Sequence, residues 1–318
     1  MQTTYITSRL RRVGWFLGAV LYLLCSGNLQ AQQSVAIIYA DSSKNTLRTK
    51  AGLTWGLSNN SPDHEIVEFF LRPHQDNANE AIAAIKPQLL ITIGSKPTAF
   101  AHEHFPHLPV VFAKVLNPIE SGFIDSWKQP GGHITGASLD IPVMLQMQKY
   151  AAIIPGLKKV GVIYTANTRR LVAEAEAAVA KLDMSLVSYE ITSDKELPMA
   201  LDSLCRSVDG IWTVADEIFS SPQFVRYTLL ETLRKGLPVM GFSRSFVESG
   251  ALFCLEPDYK YIGRQAAEIA GAVLRGADPA TISATIPDIV YLYLNLKTEQ
   301  ALNLKVPSEL VDIAKETY

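Results

Sequence analysis

Short apolar runs rich in β-branched residues alternate with helical patterns along most of the chain, and this alternation limits what it can fold into. The runs lie at residues 35–39, 66–70, 89–93, 110–115, 160–164, 186–191, 210–214, 238–242 and 251–255. Runs that are apolar on both faces are typical of parallel strands covered by helices on each side. Strands that alternate with helices predict a parallel α/β fold.

Two of the intervening segments show helical periodicity most clearly. Leu171, Ala175 and Val179 fall on one face of a predicted helix, as do Ile262 and Ala266 on a later one. Apolar residues spaced by three and four positions form a stripe that packs on a sheet. The helices are therefore expected to cover the strands rather than to stand alone.

The length of 318 residues fits two domains of ordinary size. Four predicted strands precede residue 120 and four more fall between 160 and 242. Between these groups lies the segment PGGHITGAS at 130–138. Glycine at this density indicates a turn or a crossing rather than the interior of an element. We therefore expect two α/β lobes that are joined near Ser138.

The N-terminal residues have the pattern of a secretory signal peptide. Arg9, Arg11 and Arg12 precede an apolar run at 13–25, and the small residue Ala31 follows. The run is shorter than the roughly 20 apolar residues of a spanning helix. We expect cleavage after Ala31 (signal peptide 1–31) and a periplasmic location. An uncleaved anchor helix and a lipoprotein signal with the lipid on Cys25 are the alternatives.

Charge and cysteine content exclude several classes of protein. Lys plus Arg total 29 and Asp plus Glu total 31, so no basic surface for nucleic acid is expected. Beyond Cys25, only Cys205 and Cys254 remain. A disulfide framework is excluded, and these two are expected in different lobes as free thiols.

Polar residues follow most predicted strands, where parallel sheets bind their ligands. The candidate ligand-binding residues are Asp41, Ser42, Gly94, Ser95, Thr98, Asn117, Tyr164, Asn167, Asp216 and Ser243. Each of them alone is also typical of an ordinary cap or turn. The combination of acids, hydroxyls and a nearby cation favours a binding cleft.

Enzyme and cofactor signatures are missing from the sequence. There is no G-x-G-x-x-G after the first strand, no phosphate-binding loop and no G-x-S-x-G motif. Histidines at 102, 104 and 107 are of a type that binds zinc, but surface histidines are the preferred interpretation. We therefore expect no cofactor, no metal and no catalysis.

Several segments resemble one family, the substrate-binding proteins of ABC transporters that include tryptophan- and other aromatic-amino-acid-binding members. The similar segments are PVVFA at 109–113 with Asn117-Pro118, PGGHITGAS at 130–138, GAL at 250–252, PDY at 257–259, GRQA at 263–266, and the ending NLKT at 295–298 with Ala301-Leu302 and Val306-Pro307. Together they cover nearly the whole chain after residue 31.

The resemblance implies a type I periplasmic-binding-protein fold, in which two Rossmann-like lobes are joined by a hinge of crossing strands. It suggests crossings near Ser138, Phe242 and Tyr291. Lobe one would comprise 32–138 plus about 243–290, and lobe two 139–242 plus about 291–318. The resemblance also places the loops at Asp41, Ser95 and Asn117 on one wall of an interlobe cleft. It places those at Asn167, Asp216 and Ser243 on or beside the other wall.

The chain departs from the family in its cleft loops. Members commonly read Thr-Asp-Asn where Ala215-Asp216-Glu217 stands here, and Arg169 and Arg170 fall in a loop that is usually of Asn-Pro type. After residue 241 the family tends to a Ser-Asp or Ser-Glu turn, and here Phe242-Ser243-Arg244-Ser245 follows. The fold is expected to carry over better than the identity of the ligand.

The expected function is the capture of a small molecule, an amino acid or similar, and its delivery to an ABC permease by a monomeric protein. A ligand carboxylate would meet N–H groups and hydroxyls near Ser95 and Thr98, and an ammonium would meet Asp216. Tyr39, Tyr164 or Phe242 would stack on an apolar side chain. The alternatives are a periplasmic sensory protein that partners a membrane receptor and, less favoured, an exported α/β enzyme.

Overall fold

The computed structural model describes residues 34–60, 64–72, 77–216 and 221–318. The predicted signal peptide and Glu217 lie outside the described residues. No helix among the described residues is long and apolar enough to cross a membrane.

Strands and helices alternate through most of the described chain. The first part contains β1 (Ser34–Tyr39), α1 (Lys44–Asn60), β2 (Glu65–Phe70), α2 (Ala78–Ala84), β3 (Leu89–Ile93), α3 (Ser95–His104), β4 (Val110–Val115) and β5 (Ile134–Ser138). The second contains α4 (Val143–Ile153), β6 (Lys159–Tyr164), α5 (Arg169–Ala180), β7 (Ser185–Glu190), α6 (Leu197–Cys205), β8 (Gly210–Trp212), α7 (Pro222–Arg234), β9 (Val239–Gly241), α8 (Arg244–Glu248) and β10 (Phe253–Pro257). The remainder contains α9 (Tyr259–Leu274), β11 (Val290–Leu294), α10 (Leu296–Ala301), α11 (Ser308–Asp312) and β12 (Glu316–Thr317).

These elements form two sheets, each covered by helices. The first sheet has the order β2-β1-β3-β4-β5 and is parallel throughout. The second has the order β12-β11-β10-β9-β8-β6-β7, with only the β10–β11 pair antiparallel. Two lobes with mostly parallel sheets confirm the predicted fold class.

Helix α9 returns to the first lobe and packs along α1. The contact is possible because Gly52 and Gly263 have no side chain. A Cβ on Gly52 would lie 1.9 Å from the carbonyl oxygen of Lys260, and one on Gly263 would lie 2.0 Å from that of Thr49. The GRQA segment therefore serves the close approach of two helices over the buried face of β1 and β3.

The crossing that was expected near Phe242 lies about fifteen residues later, between β10 and α9. The backbone pairs Phe253 with Met240, so β10 belongs to the second sheet. The expected assignment of about 243–290 to lobe one is thus wrong for the part up to Pro257. An apolar run of this kind fits either sheet equally well, and the pairing with β9 decides which one it joins.

The glycine-dense segment at 130–138 was expected to be a turn or a crossing, and its second half is the buried strand β5. Gly136 lies against Phe112 of β4, where a Cβ would come 2.1 Å from the Phe112 carbonyl oxygen. The chain then leaves the first sheet after Ser138.

The two described cysteines are free thiols, as expected. Cys205 ends α6 and Cys254 is buried in β10, so both lie in the second lobe and not in different lobes. Burial raises the pKa of both thiols.

Candidate ligand-binding cleft

The two lobes meet at a narrow cavity of about 80 Å³ beside the first crossing. Its lining comes from both lobes and comprises Leu116, Asn117, Leu139, Asp140, Ile141, Gln146, Leu171, Trp212, Thr213, Val214, Ala215, Met240, Gly241, Phe242 and Leu255. A groove of about 480 Å³ adjoins it and shares Asn117, Asp140, Ile141 and Leu171. The carboxyl ends of β4, β8 and β9 thus face one interlobe space, as parallel sheets require of a binding cleft.

Asp41 follows β1 at the carboxyl edge of the first sheet. Its Oδ1 accepts hydrogen bonds from the Ser43 backbone N–H at 2.9 Å and from the Thr46 hydroxyl at 2.6 Å. Burial opposes ionisation, but these bonds and the nearby Lys114 charge outweigh it and lower the pKa of Asp41 to about 2. The carboxylate is therefore ionised. The neighbouring Ser42 is exposed.

Lys114 brings a positive charge to the same edge of the sheet, and this charge was not predicted from the sequence. The β4–β5 register shifts between Ala113 and Val115, and Lys114 has a φ of 61°. A bulge of this kind re-aims a side chain. The Lys114 Nζ reaches 3.7 Å from Asp41 Oδ2 and lies 4.0 Å from the point that a Cβ on Gly94 would occupy. In the sequence, the feature that could have indicated this position is the single lysine in the otherwise apolar run VVFAKV at 110–115.

Gly94 follows β3 directly and precedes α3, whose first turn contains Ser95 and Thr98. Gly94 has a φ of 98° and stands at the N-cap, and Ser95 after it is exposed. Thr98 lies in the core instead of the cleft. Its hydroxyl is 2.7 Å from that of Thr92 and donates to the Gly94 carbonyl at 2.9 Å. The expected contact between Thr98 and a ligand carboxylate is thus replaced by a contact that holds the loop.

Asn117 ends the β4 loop with a φ of 50° and binds the first crossing. Its backbone N–H donates to both oxygens of Asp140, and the Ser138 hydroxyl donates to Asp140 Oδ2 at 2.6 Å. Burial raises the pKa of Asp140 to about 6 despite these bonds, and the charges of Glu120 and Glu174 add to the effect. Asp140 was not predicted as a site residue.

Asp216 is buried on the lobe-two side and holds the loop after β6. Its Oδ2 accepts from the Thr165 backbone N–H and hydroxyl, each at 2.9 Å, and from the Thr168 hydroxyl at 2.7 Å. Asn167 lies exposed on the short 3₁₀ turn (Ala166–Thr168) that this anchor fixes. Asp216 therefore shapes the loop through three hydrogen bonds on one oxygen.

The other lobe-two candidates differ in their access to the cleft. Phe242 lines the interlobe cavity. Ser243 follows it at the start of α8, and its hydroxyl is 2.9 Å from that of Ser245. Tyr164 packs at the edge of the lobe-two core and does not line the cavity. Burial and the Glu190 carboxylate raise its pKa.

One ion pair joins the lobes outside the crossing segments. Arg170 Nη1 lies 3.0 Å from Glu120 Oε1 of lobe one, and Arg170 Nε lies 3.3 Å from Glu174 Oε1 on its own helix. All three side chains border the larger groove. Within the described ranges, no group of three or more His, Cys, Asp or Glu side chains is placed to hold a metal ion.

A protein with two such lobes and polar loops facing one interlobe space belongs to the class that binds small molecules between hinged lobes. The comparisons define the family. A model of the ABC transporter substrate binding proteins matches residues 34–318, and the chain belongs to that family.

Relatives and solved structures agree with this family. A tyrosine-binding protein of Clostridioides difficile (strain R20291) is 27% identical over 224 residues, which are 69% of this chain and 64% of that protein. The match thus spans less than two thirds of that relative's length. A domain from Streptococcus pneumonia solved with L-Trp has a TM-score of 0.70 at 21% identity, covering 90% of this chain and all of that one.

A substrate binding protein with adhesive properties from Clostridium difficile, solved ligand-free and open, has a TM-score of 0.73 at 20% identity. That match covers 89% of this chain and 98% of the other. At these identities the two solved structures support the fold, which they share with this chain over nearly its whole described length.

Proposed function

We propose that this protein captures a free amino acid with an aromatic side chain in its interlobe cleft and delivers it to an ABC permease. The observation that carries the proposal is the cavity lined jointly by Asn117 and Asp140 beside the first crossing and by Phe242 of lobe two. The names of the relatives, one tyrosine-binding and one solved with L-Trp, support the class of ligand.

Capture would proceed by hinge closure and not by catalysis. A ligand that touches both lobes stabilises the closed arrangement by its extra contacts there. The segments after Ser138, after Pro257 and before Val290 link the lobes and would take up the rotation. No bond of the ligand is made or broken in this mechanism.

The lining of the cleft suits an apolar side chain with a charged head. Ile141, Leu171 and Phe242 provide apolar surface, on which an aromatic ring would bury area and stack. Charged hydrogen bonds contribute roughly 1.5–3 kcal/mol each. Two such bonds with apolar burial account for micromolar binding, which corresponds to about −8 kcal/mol.

The proposed setting is the periplasm, reached by cleavage after Ala31, with the protein acting as a monomer. N-terminal sequencing of the exported protein tests the cleavage position, and an N-terminus other than Gln32 would contradict it. Light scattering of the purified protein tests the monomer.

Ligand capture is tested with the mature chain by denaturing it and identifying any released small molecule by mass spectrometry. Calorimetric titration with the standard amino acids then follows. We expect micromolar affinity for L-tryptophan or L-tyrosine and weaker affinity for aliphatic amino acids. Absence of binding by any amino acid would refute the proposal.

Delivery is tested separately by uptake of the radiolabelled ligand in cells with and without the gene. Loss of uptake on deletion supports transport. Unchanged uptake by a chain that still binds its ligand would favour the sensory role, in which a membrane receptor takes the place of the permease.

A further inference from the structure

Lys114 and Asp41 form a pair of opposite charges at the carboxyl edge of the first sheet. They come from strands separated by β3, because the sheet order is β1-β3-β4. The Lys114 side chain crosses the end of β3 beside Gly94 and ends 3.7 Å from Asp41. Both charges therefore lie at the carboxyl edge of the sheet, where a ligand of this fold is held.

The Lys114 ammonium has hydrogen-bonding capacity that the protein does not use. Its side chain is only 17% exposed, yet Nζ makes no hydrogen bond of its own within the described ranges, and its nearest acid is at 3.7 Å. An ammonium has three donors. A bulged residue with a left-handed backbone holds this stem over the cleft wall. The geometry suits an anionic acceptor that arrives from the cleft.

The two carboxylate oxygens of Asp41 have different partners. Oδ1 takes both hydrogen bonds, from Ser43 and Thr46, and these fix the orientation of the carboxylate. Oδ2 faces Lys114, and the side chain is half exposed. Oδ2 carries neither of these hydrogen bonds and can accept one from a cationic donor of a ligand.

Asp216 was the expected partner of a ligand ammonium, but its position favours another role. The three hydrogen bonds from Thr165 and Thr168 all fall on Oδ2 and tie it to its own loop. Asp216 is also buried, whereas the Asp41 side chain is half exposed, and Asp41 is therefore the acid better placed to receive an ammonium.

We infer that Lys114 and Asp41 bind the two charged groups of a free α-amino acid, with Lys114 on the carboxylate and Asp41 on the ammonium. This inference rests on the proposed function and deepens it. Lobe one then holds the head of the ligand before closure, and the side chain extends toward Phe242 of lobe two. The pair selects zwitterions against sugars and against amines or acids with a single charge.

The test compares three probes by calorimetry at low salt: L-tryptophan, tryptamine without the carboxylate, and indole-3-propionate without the ammonium. If L-tyrosine is the tighter ligand, tyramine and 3-(4-hydroxyphenyl)propionate take their places. The wild-type protein should bind the amino acid at least about tenfold more tightly than either analogue, because each charged hydrogen bond is worth that much or more.

Two variants separate the roles. Lys114→Gln should weaken amino-acid binding roughly 10–100-fold and abolish the preference over the amine, while Asp41→Asn should abolish the preference over the acid. Lys114→Asn is the second variant at that position, since asparagine tolerates a positive φ and keeps the loop. Lys114→Arg should restore most of the affinity. Lys159→Gln removes the same charge at the exposed first residue of β6, away from the carboxyl ends of the strands, and serves as the control.

The outcomes distinguish this inference from the proposed function. Binding of the amino acid by the wild type, with Lys114→Gln, Lys114→Asn and Asp41→Asn binding all three probes as the wild type does, overturns the inference and leaves the function standing. A wild-type protein that binds neither aromatic amino acid contradicts both. A wild type that binds amine and amino acid equally also overturns the inference.

Discussion

The backbone N–H of Asn117 donates to both carboxylate oxygens of Asp140, at 3.1 and 3.0 Å. Through this contact the end of β4 holds the first crossing between the lobes. The Asp140 carboxylate thus ties the end of β4 to the segment that leads into lobe two.

Asp140 is expected to make stability depend on pH. Its pKa rises from 3.8 to about 6 on folding, so its favourable contribution is complete below about pH 4 and is lost as the pH rises through 6. The free energy of unfolding of Asp140→Asn, relative to that of the wild type, should therefore increase by up to about 3 kcal/mol from pH 4 to pH 7.5. Urea unfolding of both proteins at the two pH values measures the difference. A difference that does not change with pH would contradict the burial argument.

Gly136→Ala should destabilise the protein by about 3 kcal/mol or more, because the added Cβ would meet the Phe112 carbonyl oxygen at 2.1 Å and separate β4 from β5. Gly132→Ala is the matched control, since nothing lies within 4 Å of its Cβ position. It should remain within about 0.5 kcal/mol of the wild type. Thermal unfolding of both variants decides the point, and equal midpoints would show that β5 does not need a glycine.

Asp216→Ala should lower stability by about 2–4 kcal/mol in the absence of any ligand, since it leaves the donors of Thr165 and Thr168 without their acceptor. Asp202→Ala on the surface of α6 removes an acid with exposed ion pairs only and should cost less than about 1 kcal/mol. Denaturant titrations compare the two. A loss for Asp216→Ala that appears only with ligand present would mean that Asp216 acts on the ligand directly.

The Arg170–Glu120 pair should contribute about 0.2–1 kcal/mol to the coupling between the lobes. A double-mutant cycle with Arg170→Gln and Glu120→Gln measures it as a change in ligand affinity of less than about fivefold. The effect should vanish at 1 M NaCl, where the screening length is about 3 Å. Glu103→Gln, on exposed α3, is the control in lobe one. A coupling that persists at high salt would require a different explanation.

Most strands could be predicted because each buried run carries its own apolar pattern, as 89–93 does. Membership of a sheet could not be predicted in this way, because the pairing of Phe253 with Met240 is a long-range property. The strand at 134–138 was not predicted because it contains Gly136, which is typical of a turn. The close approach of Phe112 requires glycine at this position.

The candidate loops follow the ends of strands, as the sequence predicts, but the direction of each side chain was not visible from the sequence. Thr98 turns inward to Thr92, and Lys114 turns toward Asp41 because the backbone at Lys114 leaves the regular strand. A single residue that changes its face in this way leaves no periodic signal.

The return of α9 to the first lobe has a consequence for synthesis. The face of β1 and β3 that α9 covers stays open to solvent while the ribosome makes the whole of the second lobe up to Pro257. The first lobe, although begun first, therefore completes its core only when residues 259–274 have emerged. Neither lobe is a contiguous stretch of chain, and a fragment that ends at Ser138 would lack the helix that seals its own sheet.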